Sequence, residues 1–395
     1  MSRRMEKSVK GESPLYRKKA AIVCLITFFA MLAALQKPAA AQDVPSVSAQ
    51  AAALLCVNNG TFLFEKNAQE KLPMASTTKI MTTLLTLEAA AAQNKTVTVT
   101  EEMYAEGSSM YLKAGDQLKL TDLAAGMMMA SGNDAANAAA LAVGGSFEGF
   151  AQAMNQKAQQ IGMENSHFVT PSGLDDDAHY STAQDMALLM DCAVSNDAFA
   201  DISGQKSMKV TFIKPQGQAY TYNNHNRLLS LYEYCTGGKT GFTDKAGRCL
   251  VTSAEKDGVK LIAVTLHAPD DWNDHIKLYE YGFEQLMRVS FDDTACHIKL
   301  PLAGGKEDYV RVSGYTAADV VVPNADKDKI VRQVSLPPFV YAPVEAGQVL
   351  GKVVYTLNGE KVASNDLVAD GAYAYEQVEK GFFEKIGAFF LNLFS

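Results

Sequence analysis

Leu72-Pro73-Met74-Ala75-Ser76-Thr77-Thr78-Lys79-Ile80-Met81-Thr82 opens a helical stretch that runs from about Ser76 to Ala91. Pro73 sets off what precedes it, and Ile80, Leu84, Leu85 and Leu87 recur at helical spacing. In the first turn, Ser76 and Lys79 form an S-x-x-K step. Residues three apart on a helix share a face and can touch. A serine hydroxyl is a weak nucleophile until a base takes its proton. Lysine can be that base when burial or a second cation depresses its pKa. The step alone is a weak signal. It recurs at Ser203-Gly204-Gln205-Lys206 and Ser253-Ala254-Glu255-Lys256, which read as solvated loop or strand-end residues.

Two further motifs sharpen the reading. Ser131-Gly132-Asn133 is the only S-x-N in the chain, and it interrupts two Ala-, Leu- and Met-rich helices at 121–130 and 134–143. Lys239-Thr240-Gly241 is the only K-[ST]-G, and it falls on a strand expected over 237–242. Around these, Asn58-Asn59-Gly60 joins runs 52–57 and 61–65 as a hairpin, since Asn-Gly tolerates the positive φ of tight turns. Residues 147–161 read as a helix, and Thr170–Leu174 with Asp175, Asp176 and Asp177 as a loop. Thr182-Ala183-Gln184-Asp185 fits a capping box. Strands are expected over 208–213, 248–253 and 261–266, and a closing helix over 271–287 with Ile276, Tyr279, Phe283 and Leu286 on one face. Helices between an early hairpin and a later antiparallel group imply one mixed α/β domain whose sheet joins both ends of the segment.

The ordered triple S-x-x-K, S-x-N, K-T-G resembles the signature of penicillin-binding proteins and serine β-lactamases. The segments 72–82, 129–136 and 238–247 are similar to those of low-molecular-mass D-alanyl-D-alanine carboxypeptidases, and the resemblance covers roughly 47–375. It implies a β-lactamase/transpeptidase-like α/β (α+β) domain with an antiparallel sheet flanked by helices, then a small all-β domain and a terminal amphipathic helix. It implies Ser76, Lys79 and Ser131 as catalytic residues: nucleophile, base and proton relay to the leaving amine. It implies Asn133, Lys239, Thr240, Gly241 and Phe242 as substrate-binding residues, with the backbone N–H groups of Ser76 and Phe242 as the oxyanion hole. The implied substrate is a peptidoglycan stem peptide ending in D-Ala-D-Ala. β-Lactams would acylate Ser76, and no cofactor or metal is needed. D,D-endopeptidase or transpeptidase action on the same scaffold stays open. A β-lactamase is a weaker alternative, because its commonest form places a glutamate in E-x-x-L-N after S-x-N. Here the corresponding region reads Glu164-Asn165-Ser166-His167 and then Asp175-Asp176-Asp177.

Outward from this domain the composition changes. The chain has 395 residues, 36 Lys/Arg and 44 Asp/Glu, for a net charge of −8. Residues 1–41 hold eight Lys/Arg and two Asp/Glu, so they carry +6 and the rest carries −14. A cationic start, an apolar run from Ala20 to Leu35 and the small residues Ala39-Ala40-Ala41 give the layout of a secretory signal peptide. The expected organisation is signal peptide 1–41, catalytic domain 42–288, small β-rich domain 289–376 and amphipathic membrane-anchoring helix 377–395. The last rests on Phe382, Phe383, Ile386, Phe389, Phe390, Leu393 and Phe394, whose spacing builds an aromatic face suited to a membrane interface. The expected location is the outer face of the cytoplasmic membrane or the cell wall space. An acidic body argues against nucleic acid as partner. The five cysteines after residue 41 (Cys56, Cys192, Cys235, Cys249, Cys296) have wide spacings and read as small hydrophobes. The chain contains no H-E-x-x-H and no P-loop motif.

Overall fold

The computed structural model describes residues 44–376, Gly381, Ile386 and residues 389–392. The chain divides into two units at Val44, and the description below concerns 45–395. The expected signal peptide lies outside the described residues.

The early hairpin forms as β1 (Ala51–Cys56) and β2 (Thr61–Lys66). With β3 (Cys235–Thr243), β4 (Gly247–Lys256) and β5 (Val259–Leu266) it builds a five-stranded sheet in the order β2-β1-β5-β4-β3, antiparallel throughout. The two ends of the segment therefore meet at the β1–β5 pair. β1 reads Ala-Ala-Ala-Leu-Leu-Cys without alternation because both its faces are covered. Ala51, Ala53 and Leu55 pack under one helical layer, and Ala52, Leu54 and Cys56 under the other.

On the first face lie α1 (Lys79–Ala92), α2 (Leu120–Met129), α3 (Asn133–Gly144), α4 (Phe147–Gln160), α5 (Ala183–Val194) and α6 (Asp197–Gly204). α1 is buried on most of its circumference, which explains why its Leu face alternates with Thr82, Thr83 and Thr86 rather than charge. Small alanines let α3 approach its neighbours closely, and α3 ends where Gly145 takes a left-handed φ of 75°. Thr182 caps α5 by accepting from the Asp185 N–H at 3.0 Å. The return bond of a capping box is replaced: the Asp185 carboxylate accepts from Asn165 N and Ser166 Oγ, tying down the preceding loop.

The second face is covered by α7 (Asp271–Gln285), through Leu278 and Tyr279. The sequence pattern carries this helix to Met287. It stops at Gln285 because Leu286 begins β6 (Leu286–Asp292), which pairs with β9 (Ala317–Pro323). β7 (His297–Ala303), β8 (Tyr309–Gly314), β10 (Val331–Ser335), β11 (Val340–Tyr341), β12 (Val349–Leu357) and β13 (Glu360–Ala369) form a six-stranded sheet in the order β10-β12-β13-β8-β7-β11. Its own core includes Leu300, Val310, Val312, Val353 and Leu367. The buried Asp293 carboxylate organises one end of it, accepting from Arg332, Tyr355 and Asn365. Most of the expected helix 377–395 lies outside the described residues. Ile386 and 389–392 are helical. Among the described residues no helix is long and apolar enough to cross a membrane.

Candidate active site

Ser76 lies in a short 3-10 turn (Ala75–Thr78) that runs directly into α1. Ala75 enters this turn at φ 47°, a left-handed conformation that costs a non-glycine residue about 1–3 kcal/mol and tends to mark functional sites. The turn is held from three sides. Thr77 and Thr78 donate through their hydroxyls to the carbonyls of Met74 and Ala75. The loop at 170–174 presses on it through Gly173, where a Cβ would fall 1.9 Å from the Ala75 oxygen. β3 passes on the other side through Gly241, where a Cβ would meet Met74 O at 2.9 Å and the nitrogens of Ser76 and Thr77 at 3.0 Å. The glycine of K-T-G is thus what lets the strand edge reach the serine turn.

Lys79 is fully buried. Its Nζ stands 2.9 Å from Ser76 Oγ, 2.7 Å from Asn133 Oδ1 and 2.7 Å from the Ser172 carbonyl oxygen. Burial drives its pKa well below the ordinary lysine value; the Lys239 charge adds to this and Asp134 opposes it. A neutral amine has two N–H donors and one lone pair. Asn133 and Ser172 accept the two donors, so the lone pair is left for the Ser76 hydroxyl proton.

Asn133 begins α3, and its Nδ2 donates to Glu106 O at 2.6 Å, which fixes Oδ1 toward Lys79. Asp134, beside it, accepts from Ser109 Oγ and from the backbone of Met110 and Leu112. The segment 106–112 is thereby strapped to the start of α3. Ser131 sits at φ 55° in the break between α2 and α3. Lys239 donates to Ser131 Oγ at 3.0 Å and to Thr240 O at 2.7 Å. Taken singly, a lysine on a strand is most often an exposed charge; this one is buried, and burial lowers its pKa to about 7. Phe242, 63% exposed, forms a lip of the opening.

Ser76, Ser131, Thr240, Gly241 and Phe242 line one cleft of about 380 Å³, and the buried Lys79, Asn133 and Lys239 stand behind it, Lys79 bonded to Ser76 and Asn133 and Lys239 to Ser131. Several of its components carried no sequence signal. The Ser172 carbonyl sits in what reads only as a loop. His179 supports the turn from below: its Nδ1 accepts from Val169 N at 2.9 Å, and its Nε2 lies 2.9 Å from Thr78 Oγ1. Burial holds that imidazole neutral, with a pKa of about 4. Ser108, His225, Arg227, Arg248, Asp271 and Trp272 complete the cleft. Ser203 and Ser253, of the other two S-x-x-K steps, lie elsewhere, on a different pocket.

A buried lysine whose pKa is driven down, beside a serine hydroxyl and inside a sheet-and-helix frame of this topology, defines the class of serine acyl-transfer enzymes. The chain belongs to the D-alanyl-D-alanine carboxypeptidase family, which matches residues 37–270, and residues 290–375 match the C-terminal domain of penicillin-binding protein 5. The chain is 35% identical to the D-alanyl-D-alanine carboxypeptidase DacC of Escherichia coli over 370 residues, 89% of this chain and 90% of that protein. It is 29% identical to DacF of Bacillus subtilis over 331 residues, 81% and 85% of the two chains. The crystal structure of penicillin-binding protein 5 from Haemophilus influenzae superposes with a TM-score of 0.63 at 29% identity, covering 84% of this chain and 99% of that one.

Proposed function

We propose that the protein is a serine-type D-Ala-D-Ala carboxypeptidase that removes the terminal D-Ala from peptidoglycan stem pentapeptides. The observation that carries this is the three-way coordination of Lys79, which leaves its lone pair to Ser76. Ser76 Oγ attacks the carbonyl carbon of the penultimate D-Ala as its proton passes to Lys79 Nζ. The N–H groups of Ser76 and Phe242 receive the developing oxyanion; such fixed donors supply a large electrostatic share of catalysis. As the C–N bond breaks, Ser131 gives its proton to the departing D-Ala amine and takes in its place the proton that Lys79 received from Ser76, while the hydrogen bond to Lys239 holds Ser131 in position. Water then attacks the ester, and Ser76 leaves with a proton returned through Lys79. Lys239 and Thr240 take the terminal carboxylate, and Asn133 takes a substrate amide while orienting Lys79. A β-lactam follows the first half of this course and stays on Ser76, which makes the protein penicillin-binding.

The division into a leader at 1–41, a catalytic domain at 42–288, a β-rich domain at 289–376 and an anchor at 377–395 belongs to the same proposal. It places the enzyme outside the cytoplasmic membrane, held to that surface by the aromatic face of the last segment. Exposure of Phe389, Phe390 and Leu391 supports that role. Incubation with a stem pentapeptide and with cross-linked dimer, read by mass spectrometry, tests the reaction. Release of one D-Ala from the pentapeptide is expected. Cleavage of the dimer alone, or aminolysis products in place of hydrolysis, would overturn it in favour of endopeptidase or transpeptidase action.

A further inference from the structure

The β-rich domain carries a charge arrangement that its fold does not need. β7 and β8 pair antiparallel in a register that sets Lys299 directly opposite Arg311 and Pro301 opposite Tyr309. Alternation sends Leu300, Val310 and Val312 into the core and leaves these four residues on the outer face. Like charges directly opposite one another destabilise a sheet. At comparable positions the chain sets opposite charges across the strands, as at Lys352–Asp366 and Glu255–Lys260. Among the described residues, Lys299 and Arg311 belong to no ion pair.

This cation pair lies in a trough. Two adjoining cavities of about 390 and 330 Å³ share Lys299, Arg311 and Asp370. One wall is aromatic: Tyr309 is 49% exposed, and Lys299 Nζ lies 6.0 Å from its ring centroid. The floor is fixed by hydrogen bonds. Tyr373 Oη accepts from Arg311 N at 2.9 Å and donates to Asp370 Oδ1 at 2.7 Å, and Asp370 N donates to Arg311 O at 3.0 Å. A ring and a carboxylate held in place beforehand lower the ordering cost of binding.

The mixture of charges selects the ligand. Two cations alone would suit phosphate or an anionic lipid headgroup. Glu307, Asp308 and Asp370 border the same trough and oppose a polyanion. A ligand that carries both signs of charge, together with flat C–H faces for tyrosine, satisfies all of these groups. A segment of peptidoglycan has stem-peptide carboxylates, the amine of an uncross-linked diamino residue, and sugar rings. We propose that the trough on β7 and β8 is a non-catalytic binding site for such a segment. A stem carboxylate lies between Lys299 and Arg311, the amine faces Asp370, and a sugar ring stacks on Tyr309. The site holds the polymer while Ser76 trims its stem peptides. The choice of polymer rests on the carboxypeptidase reading.

Co-sedimentation with purified insoluble peptidoglycan tests this on the full-length protein, with Ser76 first acylated by penicillin so that the catalytic cleft is occupied. Vesicles of phosphatidylglycerol form a parallel arm. The acylated wild type should sediment with peptidoglycan. Loss of a charge-assisted contact predicts binding weakened about tenfold or more in Arg311→Ala, and in Lys299→Ala. Arg311→Lys should keep part of the affinity, and Tyr309→Phe more of it than Tyr309→Ala. Lys299→Ala relieves the like-charge opposition, so its melting temperature should not fall. D-Ala release from a soluble pentapeptide should match the wild type in every variant. No sedimentation of the acylated wild type, or undiminished binding in both alanine variants, overturns the inference alone. A loss confined to the vesicle arm also overturns it and makes the trough a lipid contact. A parallel fall in D-Ala release would refute a site separate from Ser76. A wild type that neither takes up penicillin nor releases D-Ala overturns the carboxypeptidase reading, and the choice of polymer with it.

Discussion

Gly241→Ala tests how the strand and the nucleophile are fitted together. The added methyl would sit 2.9 Å from Met74 O and 3.0 Å from the nitrogens of Ser76 and Thr77. All three are backbone atoms, so no side chain can turn aside. Restoring ordinary contact near 3.4 Å requires β3 to part from the serine turn by about 0.5 Å. Phe242, the next residue, then moves its N–H away from the position of the oxyanion. Losing one such donor costs about 10²–10³ in rate, and a displacement of this size approaches that loss. Overpacking costs about 1–3 kcal/mol of stability, too little by itself to unfold a typical domain. We expect kcat/KM for D-Ala release to drop about 100-fold, with acylation by fluorescent penicillin slowed in parallel and a melting temperature only a few degrees lower. Gly371→Ala, where an added Cβ meets nothing within 4 Å, is the control and should match the wild type. Full activity in Gly241→Ala with unchanged melting would refute the claim that β3 closes directly on Ser76.

Other expectations follow from the same geometry. Lys239 titrates at about 7, with its charge present below that pH and lost above it; kcat/KM should therefore decline as pH rises through about 7, and the limb should move to higher pH in the kcat profile, where bound carboxylate favours the cation. A kcat/KM profile flat to pH 9 would contradict this. His179→Ala removes the support beneath Thr78 and should lower stability by about 1–3 kcal/mol, visible in denaturant midpoints, and slow acylation; an unchanged acylation rate would show that the turn holds without it. Deleting residues 377–395 should shift the protein from the membrane pellet to the soluble fraction with D-Ala release retained, and persistent sedimentation would remove that segment as the anchor.

Much of this was readable in the chain because the motifs encode local necessity. The hairpin at Asn58-Asn59-Gly60, the helices flanking Ser131 and the strand carrying Lys239 all declare themselves by turn chemistry and periodicity. The end of α7 did not, since Leu286 suits a helix face as well as a strand, and only its pairing with Pro323 decides. The capping box at Thr182 was half right because a distant loop claims the Asp185 carboxylate. In the site, side chains that recur in ordered motifs were legible. The Ser172 carbonyl was not, because a backbone group has no sequence identity. Nor were His179, Arg248 and Trp272, whose roles come from contacts across the fold rather than spacing along it.

The central claim is that Ser76, deprotonated by Lys79, forms an acyl-enzyme. Labelling with fluorescent penicillin, followed by peptide mapping of the wild type and of Ser76→Ala, measures this directly. The account predicts one modified peptide containing Ser76 in the wild type and no label in the variant. Label retained in Ser76→Ala, or mapped to Ser203 or Ser253, would contradict it.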